Sequence, residues 1–104
     1  MKLVSLLEKL EYTCLQGSTD QEVKNVIYDS RKVEEGSLFI CIRGAVVDGH
    51  KFVPDVVAKG AKVLIVEEAV EAPEDVTVIL VKDTRYAMAF ISAAYFGHPA
   101  EKLK

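Results

Sequence analysis

No apolar run in this 104-residue chain approaches the roughly 20 residues that a membrane-spanning helix needs. The longest, such as Val63 to Val66 and Val76 to Val81, have the length of strands, so no membrane insertion is expected and the chain reads as soluble. A basic block is missing as well. The 13 basic and 16 acidic residues are scattered and give a formal net charge of -3 at pH 7. Nothing in that distribution tracks a phosphate backbone, so nucleic acid is not an expected partner. The N-terminus lacks a secretory signal, because Glu8 and Lys9 interrupt its apolar start before any small-residue cleavage site; the expected location is cytoplasmic. Cysteine is scarce. Cys14 and Cys41 are far apart and have no His or Cys at metal-ligand spacing, which predicts reduced, buried thiols and no metal. Two histidines as distant as His50 and His98 assemble neither a Ser/His/Asp order nor a metal cluster. The pattern Gly-x-x-x-x-Gly-Lys-Ser/Thr does not occur, so there is no recognisable site for ATP phosphates.

Half of the residues are hydrophobic, enough for one core, and residues 1–104 read as one domain. Leu3, Leu6, Leu7 and Leu10 recur at helical spacing and predict a short packing helix. Val23 to Asp29 alternates as a strand does, with Val23, Asn25 and Ile27 on one face. Leu38 to Ile42 is a continuous apolar run, as expected of a central strand covered on both sides. Phe52, Val53, Val56 and Val57 mark a helix that Pro54 keeps from starting early and that Gly60 ends. Lys62 to Val66 and Val76 to Val81 predict two further strands. Asp83 is placed to cap a last helix carrying Ala87, Phe90, Ile91, Ala94 and Tyr95, which Gly97 and Pro99 stop. The expected fold is α/β, a small mixed sheet flanked by helices. The tail Glu101-Lys102-Leu103-Lys104 reads as the start of a connection.

Two loops collect residues with chemical potential. Tyr28-Asp29-Ser30-Arg31 gathers a ring, a carboxylate, a hydroxyl and a guanidinium where a strand ends, the place where α/β domains bind ligands. Ser30 can donate to a phosphate or ribose oxygen, Arg31 can neutralise phosphate, and Tyr28 can stack on a base. The plainer alternative is an Asx turn closed by an Asp29–Arg31 ion pair. The second loop, Gly44-Ala45-Val46-Val47-Asp48-Gly49-His50, is bounded by glycines that let main-chain N–H groups approach a ligand; Asp48 and His50 can equally be a turn former and a helix-start residue bonded to it. His98 suits the negative end of a helix dipole. Glu67-Glu68 and Glu71 to Asp75 read as a solvated loop and not as an acid/base pair.

The stretch Tyr28-Asp-Ser-Arg-Lys-Val-Glu-Glu-Gly-Ser-Leu-Phe-Ile-Cys-Ile-Arg-Gly44, with Asp48-Gly-His-Lys-Phe52 and Lys59-Gly-Ala61, resembles the N-terminal domain of Mur ligases. The likeness extends over nearly the whole chain. Met1-Lys2-Leu3, Leu6-Leu7, Phe39 to Gly44, Val81 to Arg85 and Tyr95-Phe96-Gly97-His98-Pro99 look most like the branch that adds the third amino acid to UDP-N-acetylmuramoyl-L-alanyl-D-glutamate. The branch that adds D-alanyl-D-alanine is the nearest alternative, and a non-catalytic nucleotide-sugar-binding or interaction module is the alternative of another class. The resemblance implies that the domain holds the UDP part of the substrate, that central and C-terminal ligase domains follow in cis, and that the whole enzyme uses ATP and Mg2+. The family's Gly-Thr-x-Gly-Lys-Thr-Thr loop is expected beyond Lys104, so this stretch by itself is expected to hold no cofactor and to be non-catalytic. By motif, Ser30 is the hydroxyl that reaches the UDP portion, with Tyr28 and Arg31 beside it. Ala45, Val46 and Val47 supply loop contacts, through main-chain groups because all three are apolar, and Asp29, Gly44, Asp48, Gly49 and His50 support them.

Overall fold

The computed structural model describes residues 2–8, 10–42 and 49–95. Its frame is a five-stranded sheet in the order β1-β5-β4-β3-β2. Strands β2 (Asn25–Ile27), β3 (Ser37–Ile40), β4 (Val63–Val66) and β5 (Thr77–Leu80) are mutually parallel, and β1 (Thr13–Gln16) closes one side antiparallel to β5. The sheet is therefore mixed, as the sequence predicts.

Alternation along the buried strands sorts the core into two layers, because successive side chains point to opposite faces. Leu38 and Ile40 of β3, Val63 and Ile65 of β4 and Ile79 of β5 face one side. They meet Leu3, Leu6 and Leu7 from α1 (Leu3–Leu6) and its C-terminal turn, and Ala87 and Ile91 from α3 (Thr84–Tyr95). Phe39, Cys41, Leu64, Val66 and Val78 face the other side and meet Val53 and Val56 of α2 (Val53–Ala58). All four residues of β3 and all four of β4 are buried. Each large apolar side chain fully withdrawn from water contributes about 1.5–3 kcal/mol, so these two strands are a major source of the domain's stability.

Helix boundaries follow local chemistry. Pro54 occupies the first turn of α2, where its missing N–H costs nothing. Gly60 ends that helix with φ +110, and a Cβ there would lie 2.5 Å from the Glu35 Cα. The first amides of α3 are satisfied by two carboxylates. Asp83 Oδ1 accepts from Arg85 N–H at 2.9 Å and Tyr86 N–H at 3.2 Å, while Glu67 Oε2 accepts from Thr84 N–H at 2.7 Å.

Several expectations are corrected. Strand β2 spans only three residues, and Val23 packs in the same layer as Val26. The strict alternation drawn from Val23 onward therefore starts later, because Val23 precedes the ladder. Strand β1 has no counterpart among the predicted elements: it is almost wholly exposed and so carries no apolar pattern. Cys14 sits on it and is exposed, whereas Cys41 is buried as expected. Pairing of β1 with β5 slips between Cys14 and Gln16, leaving a bulge at Leu15. In α3, Phe90 packs on Tyr86, with ring centroids 4.7 Å apart, and is only partly buried. The stop signals Gly97 and Pro99, His98 and the tail lie outside the described residues. Among the described residues no helix is long and apolar enough to cross a membrane.

Gly60→Ala is expected to destabilise the domain by more than about 1 kcal/mol, since it combines a positive φ with a backbone clash. Equilibrium urea unfolding of the two proteins checks this as a lowered midpoint at unchanged slope.

Candidate functional site

Parallel strands place their carboxyl ends along one edge of the sheet, and that edge holds the first candidate. Strand β2 ends at Ile27, and Tyr28 follows, 66% exposed. A single 3-10 turn, Ser30–Lys32, comes next. Asp29 organises it. Its Oδ1 accepts from the Arg31 N–H at 3.0 Å and from Arg31 Nε at 3.1 Å, and its Oδ2 accepts from the guanidinium again at 3.0 Å. The Asx turn and the Asp29–Arg31 ion pair are thus both formed. These bonds favour the carboxylate, and the Arg31 side chain, followed by its N–H, holds Asp29 down from 3.8 to about 2.

The Asp29–Arg31 clasp leaves the turn's other groups outward. The Ser30 side chain is half-buried, and among the described residues its hydroxyl has no hydrogen-bond partner. Its carbonyl accepts from Lys59 Nζ at 2.9 Å, which draws a further cation to a turn that already carries Arg31 and Lys32. Lys59 has no role in the sequence-based reading of the site, because its partner lies 29 residues away and the residue itself looks like an ordinary charge at a helix end.

Strand β3, next to β2 in the sheet, delivers the chain through Cys41 and Ile42 to the second candidate loop. Gly44, Ala45, Val46, Val47 and Asp48 lie outside the described residues; Gly49 and His50 open the 3-10 segment Gly49–Phe52. His50 is 9% exposed, and its Nε2 accepts from the N–H of Glu67, just past β4, at 2.9 Å. This bond reaches across the sheet edge to the chain just past the neighbouring strand. Glu67 departs from expectation. Its carboxylate is not solvated acidic-loop surface but accepts from both the N–H and the hydroxyl of Thr84, the latter at 2.9 Å. No local motif announces this, since the pair is 17 residues apart.

Tyr28 and Glu67 leave the sheet two strand positions apart, roughly 10 Å, with the end of β3 between them. The edge thus offers an exposed ring, a hydroxyl and clustered cations on one side and an anchored imidazole on the other. Such a set suits an anionic ligand with a flat aromatic part. A shallow groove of about 220 Å³, lined in part by Leu10, Val81, Lys82 and Tyr86, lies beyond β4 at the end of β5. None of the described candidate residues lines it.

With this geometry in hand, comparisons with known proteins are specific. Residues 22–96 match the model of the Mur ligase family, catalytic domain. The chain is 50% identical over its whole length to the UDP-N-acetylmuramoyl-L-alanyl-D-glutamate–2,6-diaminopimelate ligase of Clostridium perfringens, covering 22% of it. It is 46% identical over 98% of its length to the same-named ligase of Clostridioides difficile, covering 21% of that protein. Among solved structures, MurF from Acinetobacter baumannii superposes with a TM-score of 0.78 at 31% identity, over 89% of this chain and 20% of that one. The chain spans about a fifth of the length of these relatives.

The Asp29 clasp has a definite acid limit. A depressed folded-state value means that its stabilisation is complete above the ordinary 3.8 and is lost as the pH falls through about 2. A carboxyl-carbon NMR titration is expected to place the Asp29 midpoint near 2, and Arg31→Ala is expected to raise it toward 3.8.

Proposed function

Since the chain belongs to the Mur ligase family, we propose that it is the domain that holds the UDP end of UDP-N-acetylmuramoyl-L-alanyl-D-glutamate for a ligase adding the third amino acid of the peptidoglycan stem peptide. The observation that carries this reading is the Tyr28-to-Arg31 turn at the carboxyl edge, where a free hydroxyl and an exposed ring stand beside three cations. In this reading Ser30 donates to the diphosphate or ribose, Tyr28 stacks on uracil, and Arg31, oriented by Asp29, faces the phosphates. Ala45, Val46 and Val47 offer main-chain groups, with Gly44, Asp48, Gly49 and His50 in support.

Residues 1–104 then form the N-terminal, nucleotide-holding unit of a three-domain ligase, whose central and C-terminal domains bind ATP with Mg2+ and the incoming amino acid. That enzyme activates the D-glutamate carboxylate as an acyl phosphate, and the amine of the added amino acid displaces phosphate to form the amide. The present residues act by positioning. Energy from binding the remote nucleotide fixes the carboxylate where it reacts. Identity of 50% to a diaminopimelate ligase favours diaminopimelate as the added residue. The structural likeness to MurF supports the D-alanyl-D-alanine-adding branch as the second reading, at the lower identity of 31%.

The test is an amide NMR titration with UDP and with UDP-N-acetylmuramoyl-L-alanyl-D-glutamate. Saturable shifts are expected at Tyr28 to Arg31 and Gly44 to His50. Ser30→Ala is expected to weaken UDP binding roughly 2- to 12-fold, the range of one hydrogen bond. Tyr28→Ala, which removes one base–aromatic stack, should cost about 1–3 kcal/mol. Shifts confined to the β5 groove, or none at millimolar ligand, would reject this site.

A further inference from the structure

Lys59 follows the last residue of α2, and its backbone is held from two sides. Its N–H donates to the Asp55 and Val56 carbonyls, each at 3.1 Å. The next residue, Gly60, lies against the crossover from β2 to β3: the Gly36 N–H donates to the Gly60 carbonyl at 2.8 Å, and a Cβ on Gly60 would sit 2.5 Å from the Glu35 Cα. From this fixed root the side chain reaches the Ser30 carbonyl, 2.9 Å from Nζ. Two carboxylates are close along the chain, Asp55 one helical turn earlier and Glu35 beside Gly60, yet among the described residues neither forms an ion pair with Lys59. The ammonium thus gives one of its three donors to a neutral carbonyl and has two left for another partner.

Charge balance singles this lysine out. Arg31 is matched by both carboxylate oxygens of Asp29, and Lys24 by Glu34 at 3.2 Å, so these pairs add little net potential at the turn. Lys32 and Lys59 have no carboxylate partner among the described residues, and of the two only Lys59 has its side chain bonded to the turn that carries the free Ser30 hydroxyl. We infer that Lys59 reads the diphosphate: one N–H holds the Ser30 carbonyl while another donates to a phosphate oxygen of a nucleotide seated on that turn, so the site prefers UDP to UMP and to uridine. This rests on the UDP-holding role proposed above and refines it. Phosphate charge is met mainly by Lys59, because the Arg31 guanidinium is already occupied by Asp29.

The experiment titrates uridine, UMP and UDP calorimetrically into the parent protein and into Lys59→Ala, Lys59→Gln and Lys59→Arg. Lys59 is exposed, so the variants are expected to fold, and the Gln and Arg changes also keep a donor for the Ser30 carbonyl. Parent affinity is expected to rise from uridine through UMP to UDP. The Ala and Gln variants should weaken UDP binding roughly 3- to 10-fold, between an exposed ion pair and a charge-assisted hydrogen bond, with uridine affinity unchanged. The Arg variant should keep most of the UDP affinity, and added salt should shrink the difference between parent and Gln variant. A Gln variant that binds UDP as the parent does would show that Lys59 only ties the turn, and would overturn the inference. An equal loss for uridine and UDP would overturn it too, since the defect would then lie in the shape of the turn. A parent that binds uridine and UDP alike refutes the inference and leaves the nucleotide-holding role standing, whereas a parent that binds none of the three sinks both.

Discussion

Burial of β3 and β4 on both faces is the constraint from which the rest of the domain follows. With Leu38, Ile40, Val63 and Ile65 committed to one helical layer and Phe39, Leu64 and Val66 to the other, neither face of the central sheet is open to a ligand. Polar recognition is pushed to the ends of the strands, where the chain turns and unpaired main-chain groups collect. The parallel arrangement brings the ends of β2, β3 and β4 to a single edge. A residue placed just past any of these strands is brought toward residues placed just past its neighbours, however far apart they are in sequence.

The legibility of the sequence tracks how local each cause is. The runs at Leu38 and Val63 predicted buried central strands because their burial is continuous. Pro54 and Gly60 bounded α2 because each acts through its own backbone, and Asp83 declared itself as a cap because its amide partners are two and three residues on. Strand β1 stayed hidden for the opposite reason. Its partner is β5, more than 60 residues away in sequence, and its exposed side chains leave no periodic trace. Cys14 was misplaced with it, since a small thiol on an unrecognised edge strand looks like any buried cysteine.

The candidate site divides along the same line. Asp29 and Arg31 form a local clasp, and the sequence carries both halves of it within three residues, so its geometry was readable in advance. What the clasp is for was not readable, because an Asx turn looks alike with or without a ligand; only the family resemblance carried by Asp-Ser-Arg and Gly-x-Leu-Phe tied it to a nucleotide sugar. Lys59 and Glu67 reach their partners across 29 and 17 residues, and neither spacing belongs to a helix or a turn. They became visible only when the sheet brought its strand ends together.

The two outer strands bear on how the domain behaves among its own copies. β2 offers three residues to its open side, and β1 is interrupted by the bulge at Leu15. A neighbouring chain trying to extend the sheet finds a template too short on one flank and out of step on the other. Sheet growth is thus discouraged at both flanks by backbone geometry, without reliance on charge. An apolar, strand-rich interior thus sits behind flanks that make poor templates for a further strand.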